Sequence, residues 1–257
     1  MFIDAHAHLD DQRFDQDRQE VIEKLNENEI ELVINAGADL ESSLFSKRLA
    51  EENESIYFTA GIHPHEAKTA NEEVLNKIEA LLKHPKCVAT GEIGLDYHYN
   101  HSMPQVQREV FAAQLEIAQK VGKPIVVHMR EATKDTIDIL QRFLPLTHSG
   151  VIHSFSGSAE SGKIFLEMGL YLSISGPVTY ENAERFRQVV RSLPLEKLLI
   201  ETDCPYLTPV PLRGKRNEPK NVRYVAQKIA ELKGSTLAEV ARITSGNARR
   251  VFGLTKT

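Results

Sequence analysis

The amino-acid sequence predicts a (β/α)8 barrel, in which eight parallel strands form the core and helices surround them. Short apolar segments rich in Val, Ile and Leu recur along the chain, and stretches with helical spacing of apolar residues lie between them. The apolar segments alternate little with polar residues, which is typical of parallel strands buried on both faces. The chain has 257 residues, and barrels of this type usually need about 250.

The individual elements follow from these two patterns. The predicted strands are Met1–Ala5, Glu31–Ala36, Ile56–Gly61, Lys86–Gly91, Pro124–His128, Gly150–His153, Leu170–Ser175 and Lys197–Thr202. Apolar residues at helical spacing predict the helices Asp15–Asn28, Gln105–Val121, Thr133–Phe143, Ser158–Met168, Asn182–Leu193, Asn221–Leu232 and Thr236–Arg250.

A doubly wound open sheet is the competing fold. Such a sheet normally carries a glycine-rich phosphate loop after its first strand, whereas here the first strand runs into His6 and His8. The sequence also contains no Walker A lysine loop and no internal repeat. Because no linker rich in Pro, Gly or Ser divides the chain, we predict a single domain over residues 1–257.

Composition and charge exclude several classes of protein. Hydrophobic residues make up 41% and charged residues 26%, which excludes a disordered or fibrous chain. The formal charge of −5 argues against bulk electrostatic binding of nucleic acid but leaves a local basic patch open. Apolar runs are too short to span a bilayer, and we expect no signal peptide. With two cysteines and no Cys-x-x-Cys pair, we expect a cytoplasmic location.

Histidines and carboxylates cluster where the predicted strands end. The carboxyl ends of barrel strands meet on one face, and that face carries the active site. The side chains at these ends are His6, His8, His63, His65, Glu92, His128, Arg130, His153, Glu201 and Asp203. We therefore expect them to lie around one cavity.

Six of these residues predict a metal site. In an extended strand His6 and His8 point to the same side and chelate one ion, and Glu92 follows a buried run in which a lone charge is costly. Taken singly, each of the six has an ordinary structural explanation, as a surface or core histidine, a surface carboxylate or a helix cap. Together they are too many for one ion and suit two divalent ions with Glu92 as the bridge. The predicted ligands are His6, His8, Glu92, His128, His153 and Asp203. Imidazole favours Zn, Mn, Fe, Co or Ni over Mg, but the donor set leaves the metal open among Zn, Mn, Mg, Ni and Fe.

The sequence resembles the TatD family of metal-dependent deoxyribonucleases, within the amidohydrolase-like barrels. The motifs that carry the resemblance are FIDAHAHLD at 2–10, GIHPH at 61–65, GEIGLDY at 91–97, PIVVHMR at 124–130, HSFSG at 153–157, LLIETDCPYL at 198–207 and RGKRNEP at 213–219. The resemblance implies a first metal site of His6, His8, Glu92 and Asp203. It implies a second site of Glu92, His128 and His153, with Glu92 shared.

Catalytic and substrate-binding roles complete the prediction. We expect Asp203 to be the general base, Glu92 to be the catalytic bridge and Glu201 to orient an imidazole. The predicted substrate-binding residues are His63, His65, Arg130 and Arg213. The alternatives are a structural loop for the two histidines, an ion pair of Arg130 with Glu92 or Glu201, and a solvated surface charge for Arg213. The rings of Tyr97, Tyr180 and Tyr206 are candidates for base stacking, with ordinary packing as the alternative.

The predicted activity is hydrolysis of DNA phosphodiester bonds by a metal-activated water, acting as an exonuclease from chain ends. The alternative is hydrolysis of another bond by the same metal pair, such as a D-aminoacyl-tRNA ester, a small amide or a lactone. A metal-stabilised scaffold without activity is a third hypothesis, although structural sites are usually closed. We expect single-stranded DNA or DNA ends as substrate, no membrane, no obligate protein partner and a monomeric chain.

Overall fold

The computed structural model describes residues 1–254 and contains eight strands and nine α-helices in that range. The strands are β1 Phe2–Ala7, β2 Ile30–Ala36, β3 Ile56–Ala60, β4 Cys87–Asp96, β5 Ile125–Arg130, β6 Gly150–Ile152, β7 Tyr171–Ile174 and β8 Leu198–Ile200. The helices are α1 Arg18–Glu23, α2 Leu40–Glu52, α3 Glu72–Leu82, α4 Pro104–Val121, α5 Thr133–Gln141, α6 Ala159–Glu167, α7 Glu184–Ser192, α8 Val222–Lys233 and α9 Leu237–Phe252. Among the helices of the described residues, none combines the length and apolar character that crossing a membrane requires.

All eight strands lie in one parallel sheet in sequence order. The first and last strands meet through a parallel bridge between Ala7 and Cys204. The backbone N–H of His8 donates to the carbonyl of Cys204 at 2.7 Å, and that of Asp203 donates to the carbonyl of His6 at 2.9 Å. The predicted (β/α)8 barrel is therefore confirmed, and its closure joins the segments that carry three of the predicted ligands.

Several elements differ in length from the prediction. Strand β4 continues five residues beyond the predicted end at Gly91 and is buried throughout. Helix α1 is shorter than the predicted Asp15–Asn28. Asp17 makes no side-chain cap for α1, because its carboxylate accepts from Arg216 at 2.7 and 2.6 Å.

Two helices were not predicted from the sequence, and both begin at a polar cap. The Asp39 carboxylate accepts from the backbone of Ser42 at 2.7 Å and starts α2. Asn71 accepts from the backbone of Val74 at 2.9 Å and starts α3. A side-chain acceptor at this position satisfies a helical N–H that has no partner within the helix.

Helix α9 covers the amino end of the barrel. Its Asn247 donates to the carbonyl of Leu198 at 2.8 Å, and its Ser245 donates to the carbonyl of Met1 at 3.4 Å. An apolar cluster joins the end of this helix to the barrel interior; it comprises Ile3, Ala5, Ile34, Val88, Ala89, Val126, Val151, Tyr171, Leu199, Ala248, Val251, Phe252 and Leu254. The polar strand ends therefore lie at the opposite, carboxyl face.

Candidate metal centre

The structure brings the six predicted ligands together at the carboxyl face. They come from five strands or the residues directly after them: His6 and His8 from β1, Glu92 from β4, His128 from β5, His153 from β6 and Asp203 from β8. Glu92 is only 3% exposed, so its charge lies among the imidazoles and away from bulk water.

A first donor set surrounds one oxygen of Glu92. The Nε2 atoms of His6 and His8 lie 3.2 Å apart and 3.3 and 3.7 Å from Glu92 Oε2. Asp203 Oδ1 lies 3.8 Å from Nε2 of His6 and 3.4 Å from Nε2 of His8. A tetrahedral zinc ion with ordinary bond lengths separates its ligand atoms by about 3.4 Å, so this set has the spacing of a divalent site.

A second donor set surrounds the other oxygen of Glu92. Oε1 lies 2.7 Å from His128 Nδ1 and 2.8 Å from His153 Nε2, and these two nitrogens are 3.2 Å apart. His63 Nε2 lies 3.4 Å from the same oxygen. The carboxylate of Glu92 thus directs one oxygen at each set, which is the arrangement of a bridging ligand.

Two buried carboxylates hold the imidazoles of the second set from behind. Asp96 Oδ2 accepts from Nε2 of His128 at 3.1 Å and from Nε2 of His65 at 2.9 Å. Glu201 Oε1 lies 3.2 Å from Nδ1 of His153 and accepts from the backbone of Ser154 at 2.7 Å. Such contacts fix the orientation of a metal-binding imidazole.

Asp96 is a site residue that the sequence interpretation missed. The prediction ended β4 at Gly91, which left Asp96 in a loop. Because β4 runs on to Asp96, this residue lies four positions after Glu92 and on the same side of the strand. Every residue of β4 from Cys87 to Asp96 is buried, so no alternation of apolar and polar residues marked where this strand ends.

His63 is buried at the second donor set, whereas His65 is partly exposed. His63 is 9% exposed and its ring packs on the edge of the His128 ring at 4.4 Å. His65 is held by Asp96, as described above. Their predicted role in substrate binding stays a prediction, and the spacing of His63 gives it a place among the donors of the second set.

Arg130 and Arg213 are exposed at the mouth. The guanidinium of Arg130 lies over the ring of Tyr99 at 4.7 Å, and within residues 1–254 no ion pair joins it to Glu92 or Glu201. Arg213 stacks on Tyr180 at 4.1 Å and donates to its hydroxyl at 2.7 Å. Tyr97 is different, because its hydroxyl donates to Asp135 at 2.7 Å on the α5 side.

Asp203 lies in a backbone turn that Asn217 supports. The φ angle of Asp203 is 56°, in the left-handed region that costs free energy for a residue with a side chain. The buried amide of Asn217 donates to the carbonyls of Thr202 at 2.9 Å and Tyr206 at 2.7 Å. These bonds hold the chain on both sides of Asp203 and aim its carboxylate at His8.

The electrostatics of the cluster favour cations. Burial alone would raise the pKa of Glu92, but His153, His63 and His6 outweigh it and lower the pKa well below its ordinary range. Burial would lower the pKa of His8, but Asp203 and Glu92 raise it to about 9. Glu92 and Asp203 are therefore anionic at neutral pH, and the imidazoles they face bind either protons or metal.

Comparison with known proteins gives consistent findings. The family described as "TatD related DNase" matches residues 3–253. The chain is 45% identical over 252 residues to the uncharacterized metal-dependent hydrolase YabD of Bacillus subtilis, covering 98% of this chain and 99% of YabD. It is 35% identical over 258 residues to the 3'-5' ssDNA/RNA exonuclease TatD of Citrobacter rodentium, with 98% of each chain covered. The crystal structure of YJJV, a TatD homologue from Escherichia coli, superposes with a TM-score of 0.94 at 28% identity, covering 99% of this chain and 98% of YJJV.

Proposed function

The chain belongs to the TatD family of metal-dependent hydrolases, and we propose that it cleaves DNA phosphodiester bonds from chain ends. The observation that carries this proposal is the Glu92 carboxylate, whose two oxygens face two separate donor sets at 2.7–3.7 Å. Two bridged divalent ions are a recurrent arrangement for in-line displacement at phosphorus.

The side chains present fit two divalent ions. His6, His8 and Asp203 with Glu92 would hold the first, and His128 and His153 with Glu92 would hold the second. Zn, Mn, Ni, Fe and Mg remain the candidates, with imidazole nitrogen favouring the first four. When bound, such a pair lowers the pKa of water toward neutrality and offsets negative charge on phosphoryl oxygens.

Asp203 is the proposed general base. Its side chain is 15% exposed, whereas that of Glu92 is 4% exposed, so Asp203 is the carboxylate of the first set that a water molecule can reach. A proton that leaves the attacking water passes to the carboxylate of Asp203, and the backbone turn described above holds this carboxylate in place. Glu201 and Asp96 hold the rings of His153 and His128, which keeps the donor atoms preorganised.

The mouth of the barrel favours a chain end as substrate. Arg130 and Arg213 provide positive charge at an opening surrounded by loops, and a guanidinium grips a phosphate through parallel hydrogen bonds. The relative from Citrobacter rodentium is named a 3'-5' ssDNA/RNA exonuclease, which supports a single-stranded end over an internal duplex site. A cytoplasmic location remains part of the proposal.

A substrate screen tests this function. Purified protein is incubated with end-labelled single-stranded DNA, duplex DNA, RNA and D-aminoacyl-tRNA, each with a panel of divalent ions, beside the Glu92→Gln variant. We expect single-stranded DNA to be shortened from one end by the wild type only. Hydrolysis of the aminoacyl ester without any shortening of DNA would contradict the nuclease proposal and support the alternative, an aminoacyl-tRNA ester hydrolase.

A further inference from the structure

We propose that two tyrosine–arginine pairs on opposite sides of the barrel mouth are stacking sites for the bases that flank the scissile phosphate. One pair is Tyr206 with Arg13, and the other is Tyr99 with Arg130. This inference rests on the proposed function and specifies the part of the substrate that the mouth recognises. Its ligand is a single-stranded nucleic acid whose bases are free to stack.

The first pair lies at the junction of β8 and β1. The guanidinium of Arg13 covers the Tyr206 ring at 4.2 Å, and Asp11 fixes that guanidinium through bonds of 2.9 and 2.8 Å. The Tyr206 hydroxyl also donates to Asp11, at 3.1 Å. Tyr206 remains 46% exposed, and its ring meets the His8 ring edge-on at 6.1 Å. A fixed, exposed ring therefore adjoins the first donor set.

The second pair lies at the ends of β4 and β5. Arg130 covers the Tyr99 ring at 4.7 Å, and Asp96 accepts from the backbone of Tyr99 at 2.9 Å. Tyr99 is 51% exposed and meets the His65 ring edge-on at 5.5 Å. Asp96, which holds His65 and His128, thus also positions this ring next to His65, and the ring stacks on His101 at 5.8 Å.

The large exposed aromatic side chains of the described residues are concentrated at the barrel mouth. Large exposed apolar side chains are few in residues 1–254, and Tyr99 and Tyr206 are the only aromatic ones among them. Each meets a histidine at the barrel mouth edge-on, Tyr206 beside His8 and Tyr99 beside His65. Because β8 and β1 lie opposite β4 and β5 in an eight-stranded barrel closed in sequence order, the two rings stand on opposite sides of the barrel mouth.

This arrangement matches the chemistry of a single strand. Every base presents a flat π face, so stacking on tyrosine is tolerant of sequence, and an adjacent guanidinium strengthens it. A strand that crosses the mouth places its phosphodiester over Glu92 and one base against each tyrosine. A duplex keeps its bases paired and stacked on each other, so the same rings discriminate against it.

The test compares Tyr99→Leu and Tyr206→Leu with Tyr99→Phe and Tyr206→Phe. Each protein is assayed on a single-stranded oligonucleotide and on one whose bases beside the cleaved bond are replaced by abasic residues. Each Leu variant should raise KM for the first substrate by roughly 5- to 100-fold, as expected for the loss of one stacked base. It should leave KM for the abasic substrate unchanged, and the Phe variants should behave as the wild type. Tyr57→Leu is the matched control, because Tyr57 pairs with Lys86 at 5.6 Å near the amino end of the barrel.

A measurement of single-strand binding without cleavage tests this inference independently of the proposed activity. The dissociation constant of a fluorescent single strand is measured by anisotropy with chelator present, so that no cleavage occurs. Weaker binding by the Leu variants supports base stacking even if the wild type with metal cleaves no nucleic acid, in which case only the proposed function fails. Unchanged binding by both Leu variants overturns the inference, and so does equal weakening for normal and abasic strands.

Discussion

Oδ2 of Asp96 lies 3.1 Å from Nε2 of His128, on the side of the ring away from the Nδ1 atom that faces Glu92. A carboxylate in this position accepts the Nε2 proton, so Nδ1 is the nitrogen available to a metal ion in the second donor set. Asp96 therefore sets the tautomer of His128, and it is itself buried.

Replacing Asp96 with Asn should weaken the binding of the second ion while leaving the binding of the first unchanged. The amide of Asp96→Asn keeps the shape of the side chain but loses the charge that holds two imidazoles. We expect the affinity for the second ion to fall about 10- to 100-fold, measured by calorimetric titration of metal-free protein with Mn²⁺ or Zn²⁺. Asp138→Asn is the control, because Asp138 pairs with Lys134 on an exposed helix surface. An unchanged affinity for the second ion would contradict the conclusion that Asp96 sets the tautomer of His128.

Replacing Glu92 with Gln should abolish hydrolysis and reduce the metal content. Glutamine offers one acceptor oxygen and an NH2 group, so it cannot serve both donor sets. Elemental analysis measures bound metal, cleavage of end-labelled DNA measures activity, and circular dichroism checks that the fold is intact. Glu167→Gln, on an exposed position of α6, should retain both metal and activity. Cleavage at the wild-type rate by Glu92→Gln would refute the bridging role.

Replacing Arg213 with Ala should weaken DNA binding through loss of a phosphate contact. We expect KM for single-stranded DNA to rise and the slope of its salt dependence to fall by about one charge. Steady-state kinetics over a range of salt concentrations measure both quantities. Arg242→Ala, an exposed position on α9, should change neither. If hydrolysis of a small neutral ester fell by the same factor, the effect would lie in the site and not in a phosphate contact.

Replacing Asn217 with Ala should destabilise the protein and reduce activity together. The substitution leaves the carbonyls of Thr202 and Tyr206 without their donor, which costs about 1–3 kcal/mol for a buried polar group. Urea denaturation measures the free energy of unfolding, and the kinetics of DNA cleavage report the position of Asp203. Asn182→Ala, at an exposed position before α7, is the control. An unchanged unfolding free energy would show that Asn217 does not support this turn.

The sequence was sufficient to predict the barrel and the convergence of six side chains. The barrel and the convergence of the side chains both follow from the positions of the strand ends. His6, His128 and Asp203, for example, lie at or just after apolar segments that are readily identified as strands. Errors of a few residues at these ends do not move a side chain to another face of the molecule. The six side chains therefore lie at one face of the structure, although β5 continues to Arg130 and β8 ends at Ile200, and their role as metal ligands stays a prediction.

The supporting residues could not be predicted in the same way. Asp96 depends on the length of β4, which periodicity does not determine in a strand buried on both faces. Arg216, in the loop after β8, pairs with Asp17 before α1 at 2.6 Å. This pairing is set by how the loop after β8 meets the start of α1, and contacts between distant segments leave no local pattern in the sequence.

Helix α9 limits how substrate can enter the active site and how product can leave it. Its residues Val251 and Phe252 close the amino end of the barrel. Substrate therefore enters and product leaves through the same opening above Glu92. Under the proposed exonuclease activity, a released mononucleotide has to leave through this opening before the shortened strand can advance. We therefore expect each cleavage to wait for the exit of the previous product.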